Sequence, residues 1–350
     1  MKLIVTLLIW SLGAAVLRAE SAKSKPVPVT PDNFCRAETD MYFTMFAKRG
    51  GFGKFVHRRE LPLENTGVRP NRDTLYSEAV FDLDAAPVTI ALPDAGERYM
   101  TMLVIDEDHC APLVVYDEGE TTLSREKIGT RYVFAAVRIL VDPSKPEDVR
   151  QVHALQDAIK VSQANPGKLE LPNWDHVSQK KVRDALLVLN ETLPDLRHAG
   201  GTRNEVDPVR HLIATASGWG LNPDKDATYL NVTLAKNDGK SIYKLTVKDV
   251  PVDGFWSVTV YDATGHFQKN SLNAYSLNNI TAKKNADGSV AMQFGGCNAK
   301  IDNCLPIMKD WNYMVRLYRP RAEILNGSWK FPEAEPAKYD NENQTRNLLV

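Results

Sequence analysis

The chain is nearly without net charge. Its 43 Lys and Arg stand against 44 Asp and Glu, a formal −1 at pH 7. Such balance leaves no basic footprint for nucleic acid or an anionic membrane surface. Long apolar runs are also scarce: beyond residues 1–19, no stretch approaches the ~18 consecutive apolar residues of a membrane span. Cysteine is sparse, four in 350 residues, with no C-x-x-C pair and no His pair at metal-ligand spacing, so no metal site is expected. No Walker loop and no dinucleotide fingerprint occurs. The nearest text to a nucleophile elbow is Ala216-Ser217-Gly218-Trp219-Gly220. It lacks the first glycine of G-x-S-x-G and falls at a helix end, where it reads as a C-cap. The sequence therefore names no cofactor.

What is present is ordinary globular material. Apolar residues make up 43% and charged residues 25%, which excludes a disordered chain, a collagen or a coiled coil. The length suits two domains or one large one. Residues 1–19, MKLIVTLLIWSLGAAVLRA, combine Lys2, an apolar Leu3–Val16 stretch and Ala19 before Glu20. This predicts a signal peptide and an exported, periplasmic or secreted protein that does not span the membrane after cleavage; a retained anchor is the alternative. Cys297 and Cys304 bracket the polar loop NAKIDN and are expected to form a disulfide. Cys35 and Cys110 could pair or remain buried thiols. Five N-x-S/T sequons, at Asn190, Asn231, Asn279, Asn326 and Asn343, would carry glycans only in a eukaryotic source.

The patterning predicts strands, then helices, then strands. Residues 20–32 read as an extended N-terminus, and 33–50 as a helix stopped by Gly50-Gly51. Ala79–Leu83, Val88–Leu92, Tyr99–Ile105, Leu113–Tyr116 and Arg131–Val141 read as strands of a first β-sandwich over 33–145. A helical connector is expected over 146–220. In it Val149, Val152, Leu155, Ile159 and Val161 repeat near 3.6, as do Trp174, Val177, Val182, Ala185, Leu186 and Leu189. Asp207 and Pro208 mark the N-terminus of a last helix. A second β-sandwich is expected over 221–335, with strands at Tyr229–Leu234, Ile242–Val247, Trp256–Tyr261, Val290–Phe294 and Tyr313–Tyr318. A polar, frayed tail follows from 332 onward, with 336–350 outside the second domain. The fold class is thus mainly β with a helical segment (α+β). Tyr99–Asp106 and Phe255–Asp262 align as a faint internal echo, each a strand ending at Asp.

Three polar segments are candidates for chemistry. Asp106-Glu107-Asp108-His109 follows a buried strand, where carboxylates and an imidazole could do acid–base work or hold a cation; the alternative is a solvated turn. Asn71-Arg72-Asp73-Thr74-Leu75-Tyr76-Ser77 is dense in hydrogen-bonding groups just before a sheet. Arg72 and Asp73 would offer an anion fork and its counter-charge; the alternative is a bracing network. Asn273 and Tyr275, in the Asn270–Asn279 loop, suit a carbohydrate or peptide ligand, or a buried polar loop.

The run RPNRDTLYSEAVFDLDAAPVTIALPDAGERYMTMLVIDEDH resembles the first module of a mainly bacterial two-domain family, built from domains of unknown function twelve-fifty-four and twelve-fourteen. Its N-x-D-T-L-Y hallmark falls on Asn71, Asp73, Thr74, Leu75 and Tyr76. GFWSVTVYDATGHF, NAYSLNN, DGSVAMQFGG and RLYRPRAEILNGSWKFPEA resemble the second module. Many members have N-W-L-P where this chain has Asn303-Cys304-Leu305-Pro306. The resemblance implies two jelly-roll-like β-sandwich domains joined by helices, and no common reaction. Some relatives carry the label carboxylesterase, but no Ser-His-Asp set matches here. Three functions stay open. One is binding of a small molecule, glycan or envelope partner in a cleft lined by Asn71, Arg72, Thr74, Asn273 and Tyr275. Another is a hydrolase of esters or glycosides using Asp73, Asp106, Asp108, His109 and Tyr76. The third is a ligand-free structural envelope protein, whose motif residues would be buried and mutually bonded. A second copy of the chain is a further candidate partner.

Overall fold

The computed structural model describes residues 25–64 and 67–337. The signal-peptide reading of 1–19, sequon Asn343 and most of the tail lie outside them. The elements are α1 (Phe34–Lys48), β1 (Val56–His57), β2 (Thr74–Asp82), β3 (Val88–Leu92), β4 (Met100–Asp106), β5 (Leu113–Val115), β6 (Gly119–Leu123), the one-turn α2 (Arg125–Ile128), β7 (Tyr132–Leu140), α3 (Pro146–Ala158) and β8 (Lys160–Gln163). Then come α4 (His176–Asn190), α5 (Pro208–Ser217), β9 (Ala227–Val232), β10 (Tyr243–Val247), β11 (Trp256–Tyr261), β12 (Ser276–Asn278), β13 (Val290–Phe294), β14 (Cys304–Leu305), β15 (Asn312–Tyr318), the short α6 (Ala322–Leu325) and β16 (Glu335–Pro336).

Each β block makes two facing sheets. In the first, the sheet β1-β2-β7-β4-β5 packs on β6-β3-β8. Leu75, Ala79 and Phe81 of β2, Met102 of β4 and Val137 of β7 meet Val88 and Ile90 of β3 in one apolar core. In the second, β12-β11-β15-β9 packs on β14-β13-β10-β16, around Val258, Val315, Leu245, Met292 and Trp311. Between the named strands pairing is antiparallel except for β13 with β14, which run parallel beside the Cys297–Cys304 disulfide. The fold is mainly β with helices, as the patterning predicts.

Helix α1 covers the outer face of the five-stranded sheet, with α4 and α5 packed on it. Phe43 and Phe46 of α1 lie on Val80, Leu103, Ile105 and Phe134; the Phe46 and Phe134 rings stack at 4.4 Å. Phe34 and Ala37 of α1 pack with Leu186 of α4 and Ile213 of α5. Asp207 caps α5 by accepting from the Val209 and Arg210 amides, with Pro208 in the first turn. Gly218 ends that helix, its amide donating to Ala214 O.

Several boundaries differ from the sequence reading. β2 begins at Thr74, so half of the Asn71–Ser77 segment is strand rather than a loop before the sheet. The 3.6-residue repeat attributed to 149–161 stops at Ala158, and Ile159–Val161 turns into β8, which pairs with β3. Val152 is fully buried in the first core, so α3 and β8 complete the first sandwich rather than connect the two. The start of the tail is docked, not frayed: Ala334 is buried, and β16 pairs with β10.

Candidate functional site

Strand alternation makes the site. On β11, Trp256, Val258 and Val260 enter the core of the second sandwich, so Ser257, Thr259 and Tyr261 point the other way. On β15, Tyr313, Val315 and Leu317 go inward, and Asn312, Arg316 and Tyr318 go outward. That polar face is nevertheless buried along its length. The first sandwich covers it.

From the first sandwich come Tyr76 and Arg138, cross-strand partners on β2 and β7, and the residues just before β2. The Asn71 amide donates to the Tyr318 hydroxyl (3.0 Å) and lies near the Tyr76 hydroxyl (3.2 Å) and Thr74 Oγ1 (3.3 Å). Asp73 Oδ1 accepts from Ser276 Oγ (3.0 Å) and Asn278 Nδ2 (3.1 Å). Arg69 donates to Asn312 Oδ1 (2.7 Å), and the Tyr261 hydroxyl donates to Pro70 O (2.7 Å). Arg316 donates to Thr259 Oγ1 (2.9 Å), the Tyr261 hydroxyl (2.6 Å) and Arg69 O (3.0 Å). Arg138 donates to the Tyr76 hydroxyl (3.2 Å), Asn222 Oδ1 (3.1 Å) and Gly220 O (3.4 Å). Asn222 in turn donates to the Tyr229 hydroxyl (2.7 Å). At the edge of this seam Tyr99, Phe255 and Tyr318 form an aromatic cluster, with Phe255 stacked on Tyr318 at 4.2 Å.

The charge on the seam does not balance. Arg138 and Arg316 are 7% and 3% exposed, and their hydrogen-bond partners are all neutral groups among the described residues. Half-buried Arg69 adds a third guanidinium. Asp73, 1% exposed, is the carboxylate among them, and its Oδ2 has no hydrogen-bond partner. Burial opposes ionisation of Arg138 and Arg316, yet the surrounding phenols, joined at Arg316 by the charge of Asp73, outweigh it and hold both firmly charged. Burial would raise the Tyr76 phenol, but the Arg138 charge and the bonds from Arg138, Thr74 and Asn71 bring it below its ordinary range. Tyr318, between both arginines and two other phenols, is pushed well up by its burial.

The other candidates lie elsewhere. Thr74 pairs with Leu140 at one end of the five-stranded sheet, and Asp106 with Val133 at the other. Seven strand residues separate these levels, about 23 Å at the usual rise. Asp73 and Asp106 therefore form no acid–base pair. Asp106 caps a turn: its Oδ1 accepts from the Asp108 amide (2.8 Å) and the Cys110 amide (2.9 Å). Asp262 does the same in the second sandwich, for the amides of Thr264 (2.8 Å) and His266 (3.0 Å). Both turns put the third residue after the Asp at positive φ, His109 at 66° and Gly265 at 79°. The echo between Tyr99–Asp106 and Phe255–Asp262 is thus a repeated strand and a repeated turn.

Asp108 is an ion-pair partner of Arg36 and Arg203. His109 is buried and fully engaged. Its Nδ1 donates to Thr215 Oγ1 (2.8 Å), which itself donates to His211 O, and its Nε2 accepts from the Gly220 amide (2.8 Å). Burial keeps it neutral, below its ordinary range. His211 faces carbonyls with both nitrogens, Ala199 O (2.8 Å) and Asp108 O (2.9 Å). A carbonyl only accepts, so both nitrogens carry protons. Burial acts against that cation, but bonds to the Cys110 and Cys35 thiols and to the two carbonyls raise it to about 11. Cys35 and Cys110 are free thiols.

Arg72 does not share a fork with Asp73. It donates to Leu61 O and Pro62 O and stacks over Tyr275 (4.9 Å) and Phe267 (5.7 Å). Tyr275 is buried under it, and Asn273 is exposed in a turn at φ 50°. Ser217 bonds back to Ile213 O within its helix. Among the described residues no group of three His, Cys, Asp or Glu could hold a metal ion, and no helix is long and apolar enough to cross a membrane.

The sequence reading named Asn71, Asp73, Thr74 and Tyr76 but missed Arg69, Arg138, Asn222, Tyr229, Tyr261, Arg316 and Tyr318. Two signals were available. YVFAAVRIL and NYMVRLY each hold a lone arginine inside an otherwise apolar or aromatic strand. Such a charge is almost never fully buried without a purpose-built environment.

Fold and seam define a protein of two β-sandwiches locked through a buried polar interface. Residues 52–111 match the family described as "Protein of unknown function (DUF1254)" and residues 227–322 match "Protein of unknown function (DUF1214)"; the chain is a two-domain protein of unknown function. The VPA0106 protein from Vibrio parahaemolyticus has a similar structure, with a TM-score of 0.68 at 19% identity over 87% of this chain and 98% of that one. An uncharacterized protein from Burkholderia cenocepacia aligns with a TM-score of 0.49 at 13% identity, over 89% of this chain and 91% of that one. No curated protein matches.

Proposed function

We propose that the protein is an exported binding protein whose inter-domain seam takes a small anionic molecule, such as a carboxylate or phosphate. One observation carries the reading. Among the described residues, Arg138 and Arg316 are buried without a carboxylate contact, beside an Asp73 oxygen that lacks any hydrogen-bond partner. Buried charges are ordinarily paired, and an unpaired one costs several kcal/mol. An anion between the guanidiniums would supply the missing charge, and a hydroxyl on it would satisfy Asp73 Oδ2. The lowered Tyr76 phenol is a further hydrogen-bonding group for such a ligand. Export is supported by the 1–19 sequence pattern and is consistent with the Cys297–Cys304 disulfide.

A second reading has its own support. Asn71, Asp73 and Thr74 are bonded to protein partners on both sides of the seam, as a purely structural latch requires. Thermal unfolding separates the two. Phosphate, malonate, succinate and citrate are compared with sodium chloride at equal ionic strength, in wild type and in Arg138→Met and Arg316→Met. A ligand at a hundred times its Kd stabilises by about 2.7 kcal/mol, a shift of several degrees. The binding reading expects one anion to do this in wild type and in neither variant. If no anion exceeds chloride, the seam is a latch.

A further inference from the structure

A second feature lies along α1, away from the seam. A cleft of about 630 Å³ opens between α1 and residues 171–176. Met41, Met45, Leu171, Pro172 and Trp174 line it, and Asp40 contributes a carboxyl. Asp40 is 1% exposed. Its Oδ2 accepts from the Trp174 indole N–H (2.8 Å), while its Oδ1 is buried with no hydrogen-bond partner among the described residues. A buried carboxyl oxygen left open is costly, and no other contact of the seam or the turns accounts for it.

We propose that this cleft is a binding site for a small aromatic amine, whose nitrogen donates to the open oxygen of Asp40. The walls suit the ring. Trp174 offers an aromatic wall beside the carboxyl, and the Met41 and Met45 thioethers adapt to flat apolar surfaces. The carboxyl suits the nitrogen, since an ammonium supplies the donor that Oδ1 lacks and forms a charge-assisted bond. Exposed Lys48 and Arg49 lie eight and nine residues further along the same helix. That is about 12 Å from Asp40, far enough to leave the amine end acidic and to receive an anionic tail on a longer ligand.

Protonation gives the site a signature. Asp40 faces Glu107 and Asp108 from the turn after β4, Arg36 from its own helix and the Trp174 indole; His176 lines the cleft mouth. Burial dominates and pushes the Asp40 carboxyl up to about 7, with Glu107 and Asp108 adding to the rise. An ammonium binds the ionised form. Binding below pH 7 therefore releases the Asp40 proton, and binding above pH 8 releases none.

Tryptamine is the probe, and indole-3-propionate, which has a similar body with the opposite charge, is the control. Calorimetric titrations at pH 6 and pH 8, in buffers of different ionisation enthalpy, read both affinity and proton release. The expected result is saturable tryptamine binding, roughly tenfold or more tighter than indole-3-propionate, with proton release at pH 6 only. Asp40→Asn keeps an oxygen for the Trp174 N–H but places an NH2 group against the ligand, and should weaken tryptamine about tenfold to a hundredfold. Met45→Trp fills the cleft without touching the carboxyl and should abolish binding while the protein stays folded by circular dichroism. No saturable tryptamine binding, equal affinity for the two indoles, or an unchanged affinity in both variants overturns the proposal. Unlike the seam reading, it does not depend on Arg138 or Arg316, so each can fail alone.

Discussion

The paired turns after β4 and β11 make opposite predictions from one motif. Asp106 and Asp262 accept the same two backbone amides, but Asp106 is 4% exposed and Asp262 is partly open to solvent. Burial, with the like charge of Asp108, raises Asp106 from 3.8 to about 6, against the two amide bonds. At Asp262 burial also acts upward, yet the His266 and Thr264 bonds outweigh it and the carboxyl falls below its ordinary value. A carboxyl that holds its proton more tightly when folded stabilises the protein at low pH, and that contribution is lost as pH rises from 3.8 to about 6. The rise at Asp106 corresponds to about 3 kcal/mol of burial penalty on the charged form at neutral pH. Asp106→Asn keeps the capping oxygen and removes the charge. It should therefore stabilise the protein at pH 7.5 by up to about 3 kcal/mol, with the gain fading below pH 5. Asp262→Asn removes a favourable charge, so it should destabilise at pH 7.5, with the loss shrinking as pH falls below 3.8. Guanidinium unfolding of both variants and wild type across pH 3–8 reads these differences. A loss of stability in Asp106→Asn at pH 7.5 would refute the reasoning. It would also reopen a role for Asp106 as a needed anion.

Three further outcomes follow from contacts at other points of the fold. His211 is raised to about 11, so its contribution is complete below pH 6.5 and is lost as pH climbs toward 11; His211→Gln should flatten the alkaline limb of the stability profile measured by thermal unfolding. Cys304→Ser opens the bond that closes the 297–304 loop, which removes about 2.5 kcal/mol by chain entropy and should lower the melting temperature by several degrees, as should reduction of wild type. A Cβ at Gly254 would sit 2.7 Å from Tyr318 O and 3.0 Å from the Tyr99 ring. Gly254→Ala should therefore cost about 1–3 kcal/mol in denaturant titrations by prising the aromatic edge of the seam apart.

Local signals in the chain carried much of the architecture. Alternation gave the central strands, because each has one face in a core, as at Val258 and Val315. The Asp207-Pro208 start of α5 was legible because capping is a local transaction. The misread stretches are those decided by distant partners. Ile159–Val161 continues a helical repeat in sequence, but β3 offers an unpaired edge that draws it into β8. Ala334 sits in a polar stretch, yet the pairing of β16 with β10 holds it down. The site was half legible for the same reason. Asn71–Tyr76 is contiguous and visibly polar. Arg138, Arg316, Tyr229, Tyr261 and Tyr318 come from four strands, and their common face exists only once the two sandwiches close on each other. His109 and Asp108 looked catalytic because turns and active sites draw on the same polar residues. Only the bonds to Thr215, Gly220, Arg36 and Arg203 distinguish the two.

The central claim concerns the uncompensated charge between the sandwiches. A high-resolution crystal structure of the protein, grown with whichever anion stabilises it most, tests it most directly. The account predicts density larger than water between the Arg138 and Arg316 guanidiniums, with a hydrogen bond to Asp73 Oδ2. A seam containing only ordered water, with both arginines still bonded to neutral groups alone, would contradict it.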